Sequence, residues 1–236
     1  MTLPICFLNN EAVNPSVGLD RGIAYGDGIF ETCRVVKGVI PLWELHLARL
    51  IRGASVLKLN IDAASVESAV QQALNDSRTI EARHAVLKII VTRQSGGRGY
   101  KFDRSAGVNF IVMVMPAAAL EESLGWSNGL RVRICEHRLG RQGILAGVKH
   151  LNRLDQVIAR AEWQDEYDDG LMVDYDSNLI ESISGNLLFA GEDIVTPVID
   201  HCGVQGVMRD FLKTKVDISE RKIPLHDLGC FQEILI

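Results

Sequence analysis

The sequence predicts a two-domain α+β protein with mixed sheets and flanking helices. Three observations carry that reading. The chain has 236 residues, 47% hydrophobic and 23% charged, enough for one large core or two small ones. Helical and strand-like patterns occur in both halves. Between them, "PAAALEESLGW" from Pro116 reads as a linker, and beyond it short strands and hairpins dominate. The boundaries follow: residues 1–115 form an N-terminal α/β domain, 116–122 a linker and 123–236 a C-terminal domain.

In the first half, "ICFLNNEAVNP" reads as a hairpin turning at Asn9-Asn10. "GLDRGIAYGDG" reads as loop. A strand follows over Ile29–Val36, then a turn at Lys37-Gly38 and another strand. "ELHLARLIRGASVLKLN" repeats Leu45, Leu47, Leu50, Ile51 and Leu57, the pattern of an amphipathic helix. "DAASVESAVQQALND" is a second helix, with Asp62 as its N-cap. "HAVLKIIVTRQ" and "VNFIVMVMP" read as buried strands. "SGGRGYKFDRSAG" between them is a glycine- and arginine-rich loop.

In the second half, "GLRVRICEHR" is a strand. "GILAGVKHLNRLDQVIAR" follows, with Leu151, Leu154, Val157, Ile158 and Ala161 at helical spacing, so that a helix is expected to begin at Lys149. "GLMVDYDSNLIES" is a hairpin turning at Asp176-Ser177-Asn178, and "GNLLFAGEDIVTP" another, turning at Gly191-Glu192-Asp193. "VQGVMRDFLKTK" is a helix before the closing "DISERKIPLHDLGCFQEILI".

Composition narrows the function. A net charge of −5 and only 6% aromatic residues, with no basic block, argue against nucleic acid as a partner. Five scattered cysteines show no CxxC pair and no Cys/His spacing suited to a metal, so no metal site is expected and the thiols are read as free. "MTLPICFLNN" lacks the basic and apolar regions of a signal peptide. No apolar run approaches the roughly 20 residues of a membrane helix. A cytoplasmic protein is the expectation.

Three local patterns carry chemistry. Lys149 closes the apolar run Ile144-Leu145-Ala146-Gly147-Val148. A solvated lysine is the plain alternative, but apolar surroundings and a helix start both favour the neutral amine that attacks an aldehyde. Glu181 follows Leu179 and Ile180 at the end of a strand; it is an exposed carboxylate or the partner of a buried cationic ring nitrogen. Gly203 and Gly206 precede a helix whose first amides, Val207 and Met208, suit a phosphate; the alternative is an ordinary glycine turn. No lysine follows Gly206, so this is not the loop of an NTPase.

An amine, a carboxylate and a phosphate-binding helix start, in that order, are the parts that hold pyridoxal 5'-phosphate (PLP). The chain resembles the fold-type IV PLP enzymes, the group of D-amino-acid and branched-chain aminotransferases and the aminodeoxychorismate lyases. "GDGIFETCRV", "SGGRGY", "RLGRQGILAGVKHLNRLDQV", "ESISGNLLF" and "GVQGVMR" are most similar to the lyases. The resemblance implies that Lys149 is the Schiff-base lysine and proton shuttle, and that Glu181 holds the pyridine nitrogen protonated. It implies that Val207, Met208 and Arg49, in "LHLARL", contact the phosphate. Thr32, in "FETCRV", falls near the reacting carbon, and Arg98 and Tyr100 fall in a loop that reaches a substrate carboxylate across a dimer interface. A homodimer acting on a small-molecule substrate is implied, converting 4-amino-4-deoxychorismate to 4-aminobenzoate and pyruvate. An aminotransferase on the same scaffold is the alternative, and a catalytically weak PLP-binding protein a second. Two departures from the pattern are visible: a short helix after Met208, and a chain that stops at "FQEILI" where relatives continue, so that the C-terminal domain reads as incomplete.

Overall fold

The computed structural model describes residues 6–9, 11–13, 20–76, 83–95, 98–119 and 128–236. The chain divides into two compact units, one of residues 1–118 with 149–151 and one of 119–148 with 152–236. Residues 120–122 of the expected linker lie outside the described residues, and Pro116 closes a strand rather than opening a linker.

The first unit opens with an antiparallel hairpin, β1 (Cys6–Leu8) and β2 (Glu11–Val13), joined through Asn9 at φ 51°. The stretch read as loop contains a short helix, α1 (Arg21–Tyr25). Asp20 caps it, its side chain accepting from the amides of Gly22 and Ile23, and Gly26 ends it in the left-handed region; the capping aspartate was the sequence signal. Strands β3 (Gly28–Val36), β4 (His84–Arg93) and β5 (Val108–Pro116) form an antiparallel sheet in the order β3-β4-β5.

The strand expected after Lys37-Gly38 does not form. Val36 and Val39 make one isolated bridge, Pro41 brings no N–H for a ladder, and Leu42 turns at φ 58° into helix α2 (Trp43–Leu57). Helix α3 (Ala63–Leu74) starts at Asp62, whose carboxylate accepts from Ser65 N at 2.8 Å. Both helices cover one face of the sheet. Leu47, Leu50 and Ala54 of α2 and Val66 and Val70 of α3 are buried, as are Ala85, Leu87, Ile89 and Val91 of β4. β5 is an edge strand, and its Ile111, Met113 and Met115 are exposed, against the expectation of a buried strand. An apolar run does not reveal whether both faces of a strand are covered.

In the second unit, β6 (Val132–Leu139) pairs in parallel with β7 (Asp169–Asp174) through helix α4 (Leu154–Arg160). β8 (Asn178–Ser182) turns back on β7 through Ser177 at φ 61°, with the Asp174 carboxylate accepting from the amides of Asp176 and Asn178. β9 (Leu188–Ala190) and β10 (Ile194–Pro197) form the next hairpin, and α5 (Val207–Lys213) leads to β11 (Ile218–Arg221), parallel to β10. β12 (Ile223–Pro224) joins β8, and β13 (Glu233–Leu235) joins β9. One core gathers Leu171, Val173, Leu179, Leu187, Phe189, Val195 and Ile223; another packs Ala159 of α4 on Cys135, Leu139 and Met172.

Candidate active site

Lys149 does not start a helix. The segment 149–151 is extended along the outer edge of β3: Phe30 N donates to Lys149 O at 3.0 Å, Leu151 N donates to Gly28 O at 3.0 Å, and His150 bridges Ile29. Backbone committed to a strand edge cannot also be helical, so α4 waits until Leu154. The approach at Gly28 is close enough to require glycine, since a Cβ there would meet Val91 O at 2.5 Å and Leu151 Cδ1 at 2.7 Å. The apolar stripe expected to anchor the helix is largely exposed, Leu154 at 71% and Val157 at 60%, and the residue that α4 buries is Ala159, which lies outside that stripe.

β3 sorts its side chains by alternation. Ile29, Glu31, Cys33 and Val35 are buried toward the helices; Phe30 and Thr32 point to the other face. The Lys149 amine sits on that outer face, 4.6 Å from the centroid of the Phe30 ring. Thr32 lies on the same face, directly across from Lys88 of β4.

Arg49 lies on the helix side. Its Nε and Nη2 donate to the two oxygens of Glu31 at 2.7 and 2.6 Å, and His46 Nδ1 stands 2.8 Å from Glu31 Oε2. His46 and Arg49 are three residues apart on α2 and so share a face. Burial alone would raise the Glu31 carboxyl, but the bonds and charges of Arg49 and His46 outweigh it and hold the group below its ordinary value. Cys33 is nearby, and the Glu31, Cys33 and His46 ligand atoms lie within 4.8 Å of one another. This is a poor metal site: both Glu31 oxygens are engaged, and burial, helped by the Glu31 charge, pushes the Cys33 thiol up to about 12. Sequence reading missed Glu31 and His46. The available signal was a carboxylate in register with apolar Ile29, Cys33 and Val35.

Arg98 and Tyr100 are exposed, Tyr100 at 85%. The buried Arg21 holds their loop, donating to Gly99 O at 2.9 Å and to Tyr100 O at 3.4 Å, while Tyr25 packs on Tyr100.

In the second unit Glu181 is 4% exposed. Its carboxylate accepts from Val204 N at 2.7 Å and from the Gln156 side chain of α4 at 3.1 Å. Gly147 aligns that loop: Gly147 N donates to Gly203 O, and Gln205 N donates to Gly147 O. Gly203 stands at φ +84°, and a Cβ there would press on Ile180 and on Glu181 Oε2. At Gly206 a Cβ would collide with the Asn186 side chain, which is itself fixed by donating to Val204 O at 2.8 Å. No side chain caps α5, the seven-residue helix that opens with Val207 and Met208. Gln156 and Asn186 were not foreseen, because neither side chain breaks its local pattern.

The amino-transferase class IV family matches residues 28–236. The chain belongs to that family. Aminodeoxychorismate lyase of Vibrio harveyi is 34% identical over 193 residues, covering 80% of this chain and 69% of that protein. The crystal structure of 4-amino-4-deoxychorismate lyase from Pseudomonas aeruginosa superposes with a TM-score of 0.83 at 37% identity, over 91% of this chain and 80% of that one. A hypothetical aminotransferase from Mycobacterium tuberculosis, solved in a PLP-bound form, shares the fold with a TM-score of 0.77 at 23% identity, over 95% and 83% of the two chains. The family is one of fold-type IV enzymes that depend on PLP. The residues here fit that cofactor chemically. A half-buried lysine amine faces an aromatic ring, a buried carboxylate is oriented by two N–H donors, and glycines stand where side chains would crowd that carboxylate and its loop. Among the described residues no helix is long and apolar enough to cross a membrane.

Proposed function

We propose that the protein is a PLP-dependent lyase converting 4-amino-4-deoxychorismate to 4-aminobenzoate and pyruvate. The observation that carries this reading is Lys149, pinned by its backbone to the edge of β3 with its amine over Phe30 on the face that also carries Thr32. The similarity to two aminodeoxychorismate lyases at 34% and 37% identity supports it. PLP, when bound, withdraws electrons from the amine-bearing carbon of its substrate. Lys149 would hold the cofactor at its aldehyde until the substrate amine displaces it, and the freed amine would then take the proton from that carbon and hold it at Nζ. Glu181, fixed by Val204 N and Gln156, keeps a proton on the ring nitrogen. Arg49 and the amides of Val207 and Met208 hold the phosphate, with Glu31 fixing the guanidinium of Arg49. Arg98 and Tyr100 meet a substrate carboxylate, and Thr32 stands by the reacting carbon. The proton removed at one carbon is balanced by the one gained as the enolpyruvyl group leaves as pyruvate, and aromatisation of the ring drives the step. The active form is a homodimer, which sedimentation would check.

Aminotransferases share the family and the fold, and both reactions begin with the same proton abstraction. A coupled pyruvate assay without any 2-oxo acid, run beside a transamination assay, separates them. The lyase gives pyruvate from aminodeoxychorismate alone. Amino-group transfer to 2-oxoglutarate with no pyruvate would assign the chain to the aminotransferases, and inactivity in both assays with PLP bound would leave a binding protein. Borohydride should fix the cofactor on the peptide carrying Lys149, and an adduct on another lysine would overturn the assignment.

A further inference from the structure

Two buried arginines that share one carboxylate grip the loop that carries Arg98 and Tyr100. Arg21 and Arg93 both donate from Nε to Asp27 Oδ2 at 2.9 Å. Nη1 of Arg21 donates to Gly99 O at 2.9 Å, and Nη2 reaches Tyr100 O at 3.4 Å. The Arg93 guanidinium stands 3.8 Å from the centroid of the Phe102 ring. Tyr25, one turn beyond Arg21 on α1, sets its ring 5.4 Å from that of Tyr100.

Two guanidiniums on one carboxylate leave a positive charge that dipoles must meet, since a buried charge without compensation is costly. For Arg93 those dipoles belong to the fold. It donates to Lys58 O at 2.9 Å and to Leu57 O at 2.6 Å, at the C-terminal end of α2, which is the negative end of the helix. Arg21 is different. Among the described residues, its partners beyond Asp27 and the Tyr25 ring are carbonyls of the loop itself. The side chains of that loop at Arg98, Tyr100 and Lys101 are exposed, so holding its backbone adds nothing to a core. Gly99 stands at φ 63°, yet a Cβ there would meet nothing within 4 Å. The glycine answers to the backbone conformation and not to space.

We propose that Arg21 is a positioning residue for substrate binding. Its fork fixes the backbone of residues 99–100 and so sets where Arg98 and Tyr100 stand. The inference rests on the reading that these two side chains meet a substrate carboxylate, and deepens it by naming what holds them. A lysine is no substitute: its ammonium is a single point charge, whereas Arg21 spreads three nitrogens over Asp27, Gly99 and Tyr100. A loop released from that fork samples other arrangements. One that keeps the binding geometry about one-tenth of the time binds about tenfold more weakly.

The test compares the PLP-loaded wild type with Arg21→Lys, Arg98→Ala and the double variant. Arg21→Lys should speed hydrogen exchange at the amides of residues 99–104. In the pyruvate assay it should raise KM for aminodeoxychorismate about tenfold, with kcat close to that of the wild type and the visible cofactor band unchanged. In the double variant the two KM effects should fall well short of multiplying, because both changes act at one loop. Should Arg21→Lys fail to fold, Gly99→Ala strains the same turn from the loop side, away from any core contact, and should give the same rise in KM. Faster exchange with an unchanged KM would reduce the grip to a structural one and overturn the proposal. Unchanged exchange, or KM effects that multiply in the double variant, would overturn it too. If Arg98→Ala itself keeps the wild-type KM, the reading of the loop fails and the proposal falls with it. A wild type that yields no pyruvate refutes the lyase reading instead, and the same KM comparison in the transamination assay then decides the role of Arg21.

Discussion

The two faces of β3 handle charge in opposite ways. Toward the helices, Glu31 is buried and fully engaged, with Arg49 on both oxygens and His46 on one. On the outer face, Lys88 meets an aromatic ring and no acid among the described residues, and Lys149 approaches the same ring. Residues one position apart on a strand therefore enter different chemical worlds. A carboxylate as fully engaged as that of Glu31 fixes geometry and has little left to offer a ligand. A charge left without an internal partner is available to one. On the proposed function, the side of this strand that meets the substrate is the one on which Lys88 finds no internal acid among the described residues.

The largest effect should come from the outer face. On the proposed function, Lys149→Ala should cut pyruvate formation at least about a thousandfold, since it would remove both the nucleophile for the cofactor and the base for the substrate. Its thermal midpoint without PLP should stay near that of the wild type, because the contacts that pin residues 149–151 are made by backbone atoms. A large drop in that midpoint would mean the side chain is structural and would blur the contrast between the faces.

The helix face should respond in the reverse manner. Glu31→Ala leaves the Arg49 guanidinium buried without its carboxylate, a change worth about 3–5 kcal/mol of stability. Replacing both partners, with Glu31→Met and Arg49→Met together, should restore much of that loss in urea unfolding, because the pair's attraction largely offsets its own desolvation. The double variant should nonetheless bind PLP more weakly, if Arg49 meets the phosphate. Normal PLP affinity there would confine Arg49 to a structural role.

Much of this contrast was hidden in the sequence, for identifiable reasons. Hairpins announced by asparagine, aspartate and glycine turns were legible, as were Asp62 as a cap and the central strand over 84–93, where local chemistry decides. The delayed start of α4 was not, because edge pairing of Lys149–Leu151 with β3 is a long-range event that no local pattern encodes. Glu31 went unnoticed for the same reason: its meaning depends on Arg49 and His46 arriving from α2. Exposure of β5 was illegible because apolar residues occupy both of its faces. Lys149 and Glu181 stood out because each charge interrupts an apolar run.

A pH series sharpens the contrast further. The Glu31 carboxyl is held below its unfolded value, against the upward push of burial, by Arg49 and His46. Its contribution to stability is therefore complete above the unfolded pKa, about 4.3 for glutamate, and is lost as pH falls through the lower folded value. Wild type should exceed Glu31→Gln in unfolding free energy at pH 7, and the two curves should converge as the pH drops below about 4. A gap that stayed constant down to pH 3 would mean that the carboxylate charge contributes nothing and that the hydrogen-bond geometry alone matters.

The smallest effect concerns Cys33, which shares the helix face with Glu31. Burial is the main reason its thiol is pushed up to about 12, and the Glu31 charge is the second. At pH 8 only about one molecule in ten thousand would carry the thiolate that reacts with disulfide reagents. Burial likewise raises Cys202 to about 12 and Cys135 to about 11, whereas Cys230 is exposed. Of these four thiols, Cys230 should react first with a disulfide reagent, and the other three only at the rate of unfolding. Glu31→Gln tests which cause dominates at Cys33. Removing the charge takes away the lesser contribution and leaves burial in place, so mass-spectrometric mapping should still find Cys33 far slower than Cys230. A Cys33 that became as fast as Cys230, in a variant still folded by circular dichroism, would show that the carboxylate charge guards the thiol. The helix face would then be as electrostatically poised as the outer one, and the contrast between the two would fail.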